Sequence, residues 1–112
     1  MAILALMFWD PDAFLLAQCV THDLGEYATG DIPFGAGNKD HAAEDDARWE
    51  MGMCFNPPDH RLKFLDALDA YLWAQHHAPH VLTRQDWRDQ RKKILATASE
   101  LGVSLKDHGI II

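Results

Sequence analysis

Cysteine is scarce in this chain of 112 residues: Cys19 and Cys54 are the only two. Two thiols cannot build the disulfide framework of a small secreted domain, and they read as free thiols of a cytoplasmic protein. Long apolar runs are lacking as well. The most continuous one, residues 1–9, is cut off by Asp10-Pro11-Asp12. It falls far short of the roughly 20 residues a membrane span needs, and it lacks the basic flank of a signal peptide. Positive charge is almost missing from the first half: residues 1–60 hold 11 acids and 2 bases, residues 61–112 hold 6 acids and 8 bases, and the net charge is −7. The one dense basic run, residues 88–93, is short and broken by Asp89. Binding to duplex nucleic acid and to membranes is therefore not expected. What remains is 48% hydrophobic and 24% charged, the composition of one core-forming domain.

No repeat, low-complexity tract or alternating strand pattern occurs, and the expected fold class is all-α. Residues 1–9 open in the middle of an apolar run, like a helix whose beginning has been removed. Asp10 is an expected N-cap with Pro11 at the first helical position, starting a helix to about residue 24. Phe14, Leu15, Leu16, Cys19 and Val20 give that helix an apolar stripe broad enough for burial on more than one face. Gly25, Gly30, Pro33, Gly35 and Gly37 make the stretch that follows a long loop, of the kind that is usually functional. Asn38 or Asp40 can cap a third helix to about residue 53, acidic at its start as the helix dipole favours. Asp59 is expected to cap a helix to about residue 77, and Thr83 with Asp86 a last helix stopping at Gly102. The tail from residue 103 onward carries no clear signal.

Two stretches carry chemistry. His22 and Asp23 are metal-capable side chains at a helix end, and Glu26 follows His22 by one turn, within reach of the same side. The residues alone favour solvated helix-end acids and a packed histidine. In the second stretch Leu62, Leu65, Asp66, Asp69, Leu72 and Trp73 share helical spacing, with Phe64, Leu68 and Tyr71 on another apolar face. A helix enclosed in this way would hold its aspartates against a cation, a metal or several donors, because an unpaired buried charge is costly. Arg61 or Lys63 could serve, and a local ion pair or a partly exposed Asp66 is the alternative.

Together these stretches resemble the HD-domain metal-dependent phosphohydrolases. The run His22-Asp23-x-x-Glu26-x-x-Thr29-Gly30-Asp31-Ile32-Pro33 is similar to the one in the 5′-deoxynucleotidases and in the phage enzymes that hydrolyse deoxyadenosine triphosphate. Residues 65–72 resemble the helix that carries the family's last metal-ligand aspartate, which falls on Asp66. The resemblance covers about residues 1–75 and implies an HD-like helical bundle. It further implies a divalent ion (Co, Mn, Ni, Fe or Mg) held by His22, Asp23 and Asp66, with a metal-bound water attacking phosphorus. Glu26 would be the proton-transfer residue, Asp31 would position the water or the leaving group, and Lys39 is a candidate phosphate contact, otherwise a solvated loop lysine.

The family's first ligand is a histidine on the preceding helix. Residues 1–6 align just after it, which would put that ligand about four residues before Met1. The arginine that often contacts phosphate in the family has no counterpart either. The implied activity is nucleotide phosphohydrolysis; the alternative is an HD-fold binding module that has lost turnover. An apolar start that is left uncovered further suggests a homodimer.

The other candidates have simpler readings. His76, His77 and His80 read as surface imidazoles at a helix C-terminus. Trp49, Trp73 and Trp87 read as core or interface anchors.

Overall fold

The computed structural model describes residues 1–22, 41–51 and 59–112. It is all-α: among the described residues there is no strand. Among the described residues five α-helices follow in order: α1 (Ala2–Phe8), α2 (Ala13–Thr21), α3 (His41–Glu50), α4 (Leu62–His77) and α5 (Gln85–Glu100), with 3₁₀ turns at Pro79–Thr83 and Lys106–His108. No described helix is long and apolar enough to cross a membrane.

Helix α4 is the centre of the bundle, packed against α5, α1 and α2. Its buried face is Phe64, Leu65, Leu68, Tyr71 and Ala74. Leu65 and Leu68 meet Leu15 of α2 and Ile94 of α5 in one cluster, and among the described residues these four are the largest fully buried side chains. Each such burial contributes about 1.5–3 kcal/mol before chain entropy is counted. This corrects the expected enclosure of the α4 aspartates: Asp66 and Asp69 are exposed, and Trp73 is 61% exposed. The spacing fits both faces, and packing on three neighbours selects the one without charges.

Helix α2 departs from expectation in a similar way. Phe14 and Val20 lie at the surface, and Leu15, Gln18 and Cys19 form its buried side. Its cap is Asp12, not Asp10. Asp12 is extended, and its carboxylate accepts the N–H of Leu15 at 2.9 Å. The proline therefore precedes the cap.

The lead into α4 is braced. Asp59 accepts the backbone N–H of Arg61 at 2.9 Å and the Nε and Nη2 N–H groups of its guanidinium at 2.9 and 2.8 Å. Asp59 thus closes a turn before Leu62 and does not cap the helix itself, whose N-cap is Arg61. The Arg61 guanidinium also lies 5.0 Å from the ring centroid of Trp9, just after α1. Behind this, the Asp59 N–H donates to Oε1 of buried Gln18 at 2.7 Å. The end of α1, the middle of α2 and the start of α4 are tied at one place.

Helix α5 starts at Gln85, with Arg84 as its N-cap and no side-chain cap. The Thr83 hydroxyl instead donates to the His80 carbonyl, so the expected capping box does not form. The C-terminus behaves as expected. Gly102 has φ +72°, Val103 N–H donates to Ala98 O and Gly102 N–H to Ser99 O, the paired closure that a left-handed glycine permits. The chain then returns over the bundle, with Leu105 buried, Gln75 Nε2 donating to Ile111 O and an Arg91 N–H donating to Ile112 O.

Candidate functional site

His22 is the C-cap of α2, the position at which carbonyls of the last turn lose their helical partners. Its Nδ1 lies 2.7 Å from the carbonyl oxygen of Cys19. A carbonyl only accepts, so Nδ1 carries the proton and donates it. This fixes the ring and leaves Nε2 as the reactive nitrogen, the arrangement by which an outer partner orients a metal-binding histidine. Cys19 contributes through its backbone; burial pushes its thiol pKa up, which keeps the sulfur protonated and unreactive.

The Nε2 atom faces α4, where Asp66 Oδ1 stands 3.5 Å away. Leu65 and Leu68 anchor α4 in the core on either side of Asp66, while Asp66 itself turns outward. The His22 side chain is 20% exposed and that of Asp66 is 61% exposed. The pair therefore lies at the edge of the core, with one partner enclosed and the other open to water. The Gln18–Asp59–Arg61 brace, one turn before His22 on α2 and at the entry to α4, holds α2 against the start of α4.

The donor set suits a divalent ion: a neutral imidazole nitrogen and a carboxylate oxygen serve Mn, Co, Ni and Fe alike. Two ligand atoms about 2.1 Å from one ion, at octahedral to tetrahedral angles, stand about 3.0–3.4 Å apart. The observed 3.5 Å is slightly longer than that range, so a bound ion would draw the two side chains together by about 0.1 Å or more. The same distance also suits a direct ion pair once the imidazole is protonated. Among the described residues no group of three or more His, Cys, Asp or Glu side chains is close enough to hold a metal.

Of the six site residues named from sequence, His22 and Asp66 are brought together. Asp23, Glu26, Asp31 and Lys39 lie outside the described residues. Cys54 and the expected long loop lie outside them too. Sequence reasoning missed Gln18, Asp59 and Arg61 as the supports of the site. Gln18 did leave a signal, being the polar residue between Leu15 and Cys19 and one turn before His22 on the same face.

The remaining candidates are at the surface. His76 and His77 are exposed, with ring centroids 4.7 Å apart edge to face, and His77 lies 5.0 Å from the ring of Trp73. Trp49 and Trp73 are not core anchors, being 73% and 61% exposed, whereas Trp87 is half-buried against Tyr71.

In comparison with known proteins no family model, no curated protein and no solved structure matches this chain.

Proposed function

We propose that the chain is an HD-like, metal-dependent phosphohydrolase of nucleotides or deoxynucleotides. The reading rests on the sequence resemblance, and the observation that supports it is the 3.5 Å approach of His22 Nε2 to Asp66 Oδ1 across two helices. His22, Asp23 and Asp66 are the residues that would hold the divalent ion. Such an ion, when bound, lowers the pKa of a coordinated water and neutralises phosphoryl charge. The Cys19 carbonyl keeps Nδ1 protonated, so Nε2 is the nitrogen offered as a ligand. Glu26 is assigned to take the proton from the attacking water at its carboxylate, and Asp31 to orient that water or the leaving group. Lys39, the only cation before Arg48, is assigned to a phosphate oxygen.

The test is a panel of deoxynucleoside mono- and triphosphates incubated with protein loaded in turn with Mn, Co, Ni, Fe and Mg. Release of phosphate or triphosphate that is lost in Asp66→Asn supports the assignment. Release that Asp66→Asn leaves unchanged contradicts it.

The second reading is an HD-fold binding module without turnover. The same 3.5 Å contact supports it when taken as an imidazolium–carboxylate ion pair that needs no metal. A further part of the proposal is self-association in the cytoplasm. On α1, Ile3, Leu6 and Met7 are 74%, 60% and 41% exposed at helical spacing, an apolar face that a second copy would cover. Light scattering that gives twice the chain mass supports the dimer, and the monomer mass contradicts it.

A further inference from the structure

A second feature lies on the far end of the hairpin formed by α4 and α5. A cleft of about 230 Å³ opens between the start of α4 and the later half of α5. The α4 side contributes His60, Lys63, Phe64 and Ala67, spaced i, i+3, i+4, i+7, so that one continuous face lines it. From α5 come Gln90, Lys93, Ile94 and Thr97 at the same spacing. The floor is apolar, since Phe64 and Ile94 are 3% and 1% exposed and Ala67 is half-buried. The rim is cationic and polar.

Charge makes this cleft unusual for its chain. The protein has a net charge of −7, with 17 acids, yet no lining residue is acidic. Neither Lys63 nor Lys93 makes an ion pair among the described residues. The carboxylate 3.7 Å from His60, that of Asp59, is already held by Nε and Nη2 of the Arg61 guanidinium. The N-terminal end of the α4 dipole adds positive potential at the same end. Neither His22 nor Asp66 lines the cleft, so its occupancy does not depend on a metal.

The geometry points to a binding site for a small organic anion with an apolar body: one ring or a short alkyl chain on Phe64, Ala67 and Ile94, and a carboxylate between Lys63 and Lys93. The volume is below the roughly 300 Å³ at which pockets for larger ligands begin, which limits the occupant to a single ring.

Fluorine NMR of 4-fluorobenzoate titrated against the metal-free full chain tests this, with 4-fluorobenzyl alcohol as the neutral probe and inorganic phosphate, followed by phosphorus NMR, as the non-apolar one. Binding of the benzoate in the millimolar range at low salt is expected, about fivefold weaker in Lys63→Gln/Lys93→Gln. Both lysines are exposed, so the double variant should fold as the parent does, and its melting curve checks this. Ile94→Ala, which opens the floor, provides a second variant and should weaken the benzoate but not phosphate. Equal binding of the alcohol, equal binding of phosphate, no loss in the lysine variant, or no binding at all would overturn the proposal.

Discussion

His22 Nε2 stands 3.5 Å from Asp66 Oδ1, while Nδ1 of the same ring is held 2.7 Å from the Cys19 carbonyl. The second contact gives the first its chemistry, because it settles which nitrogen faces the carboxylate. If the pair holds an ion and Glu26 moves a proton, substitutions at the two kinds of residue have separable effects. Glu26→Ala should leave metal affinity within a few-fold and lower turnover by about 10²–10⁴-fold. Asp66→Asn should lower both. Calorimetry and product release measured on the same preparations check this split, and parallel losses in both variants would contradict the roles.

The Asp59–Arg61 brace predicts an acid-sensitive component of stability. The Arg61 guanidinium bonded to Asp59 lowers that carboxyl from 3.8 to about 2. A depressed carboxylate pKa stabilises the folded state fully above the unfolded value and is lost as pH falls through the folded one. The window is therefore between about pH 4 and pH 2, and the contribution is about 1 kcal/mol after solvent screening. Denaturant unfolding across that window should show a steeper loss in the parent than in Asp59→Asn. Identical slopes would remove the brace from the account.

Gly102 predicts a penalty that comes from backbone alone. Its φ is +72°, and a Cβ placed there meets nothing within 4 Å. Gly102→Ala should therefore destabilise the chain by about 1 kcal/mol, and Gly102→Asn by less, because asparagine tolerates the left-handed conformation. Urea unfolding of the three proteins measures this order. A neutral alanine variant would show that the end of α5 is not fixed by this residue.

Much of the helical layout was legible in the sequence, because apolar spacing, Gly102 and the proline-flanked starts are local signals. The capping residues were less so. Asp10 and Asp12 both suit a cap beside Pro11, and only the backbone of Asp12, extended and aimed at the Leu15 N–H, decides between them. Thr83 reads as a cap until the 3₁₀ turn before it takes its hydroxyl. In α4 the spacing admits two faces, and the choice depends on contacts with α1, α2 and α5 that lie far away in sequence. Of the candidate site, His22 and Asp66 stand out in the sequence as residue types, and the fold brings these two side chains together. Its supports were not, because the bond between Gln18 and the Asp59 backbone joins positions with no shared local pattern.

The central claim is that His22 and Asp66 share one divalent ion, and a calorimetric titration with Co²⁺ tests it most directly. The account predicts one ion per chain in the parent. Affinity should fall in both His22→Ala and Asp66→Asn by more than the roughly 10- to 100-fold that loss of an outer-shell partner costs. Equal affinity in the parent and the two variants, or no binding to the parent, would contradict it.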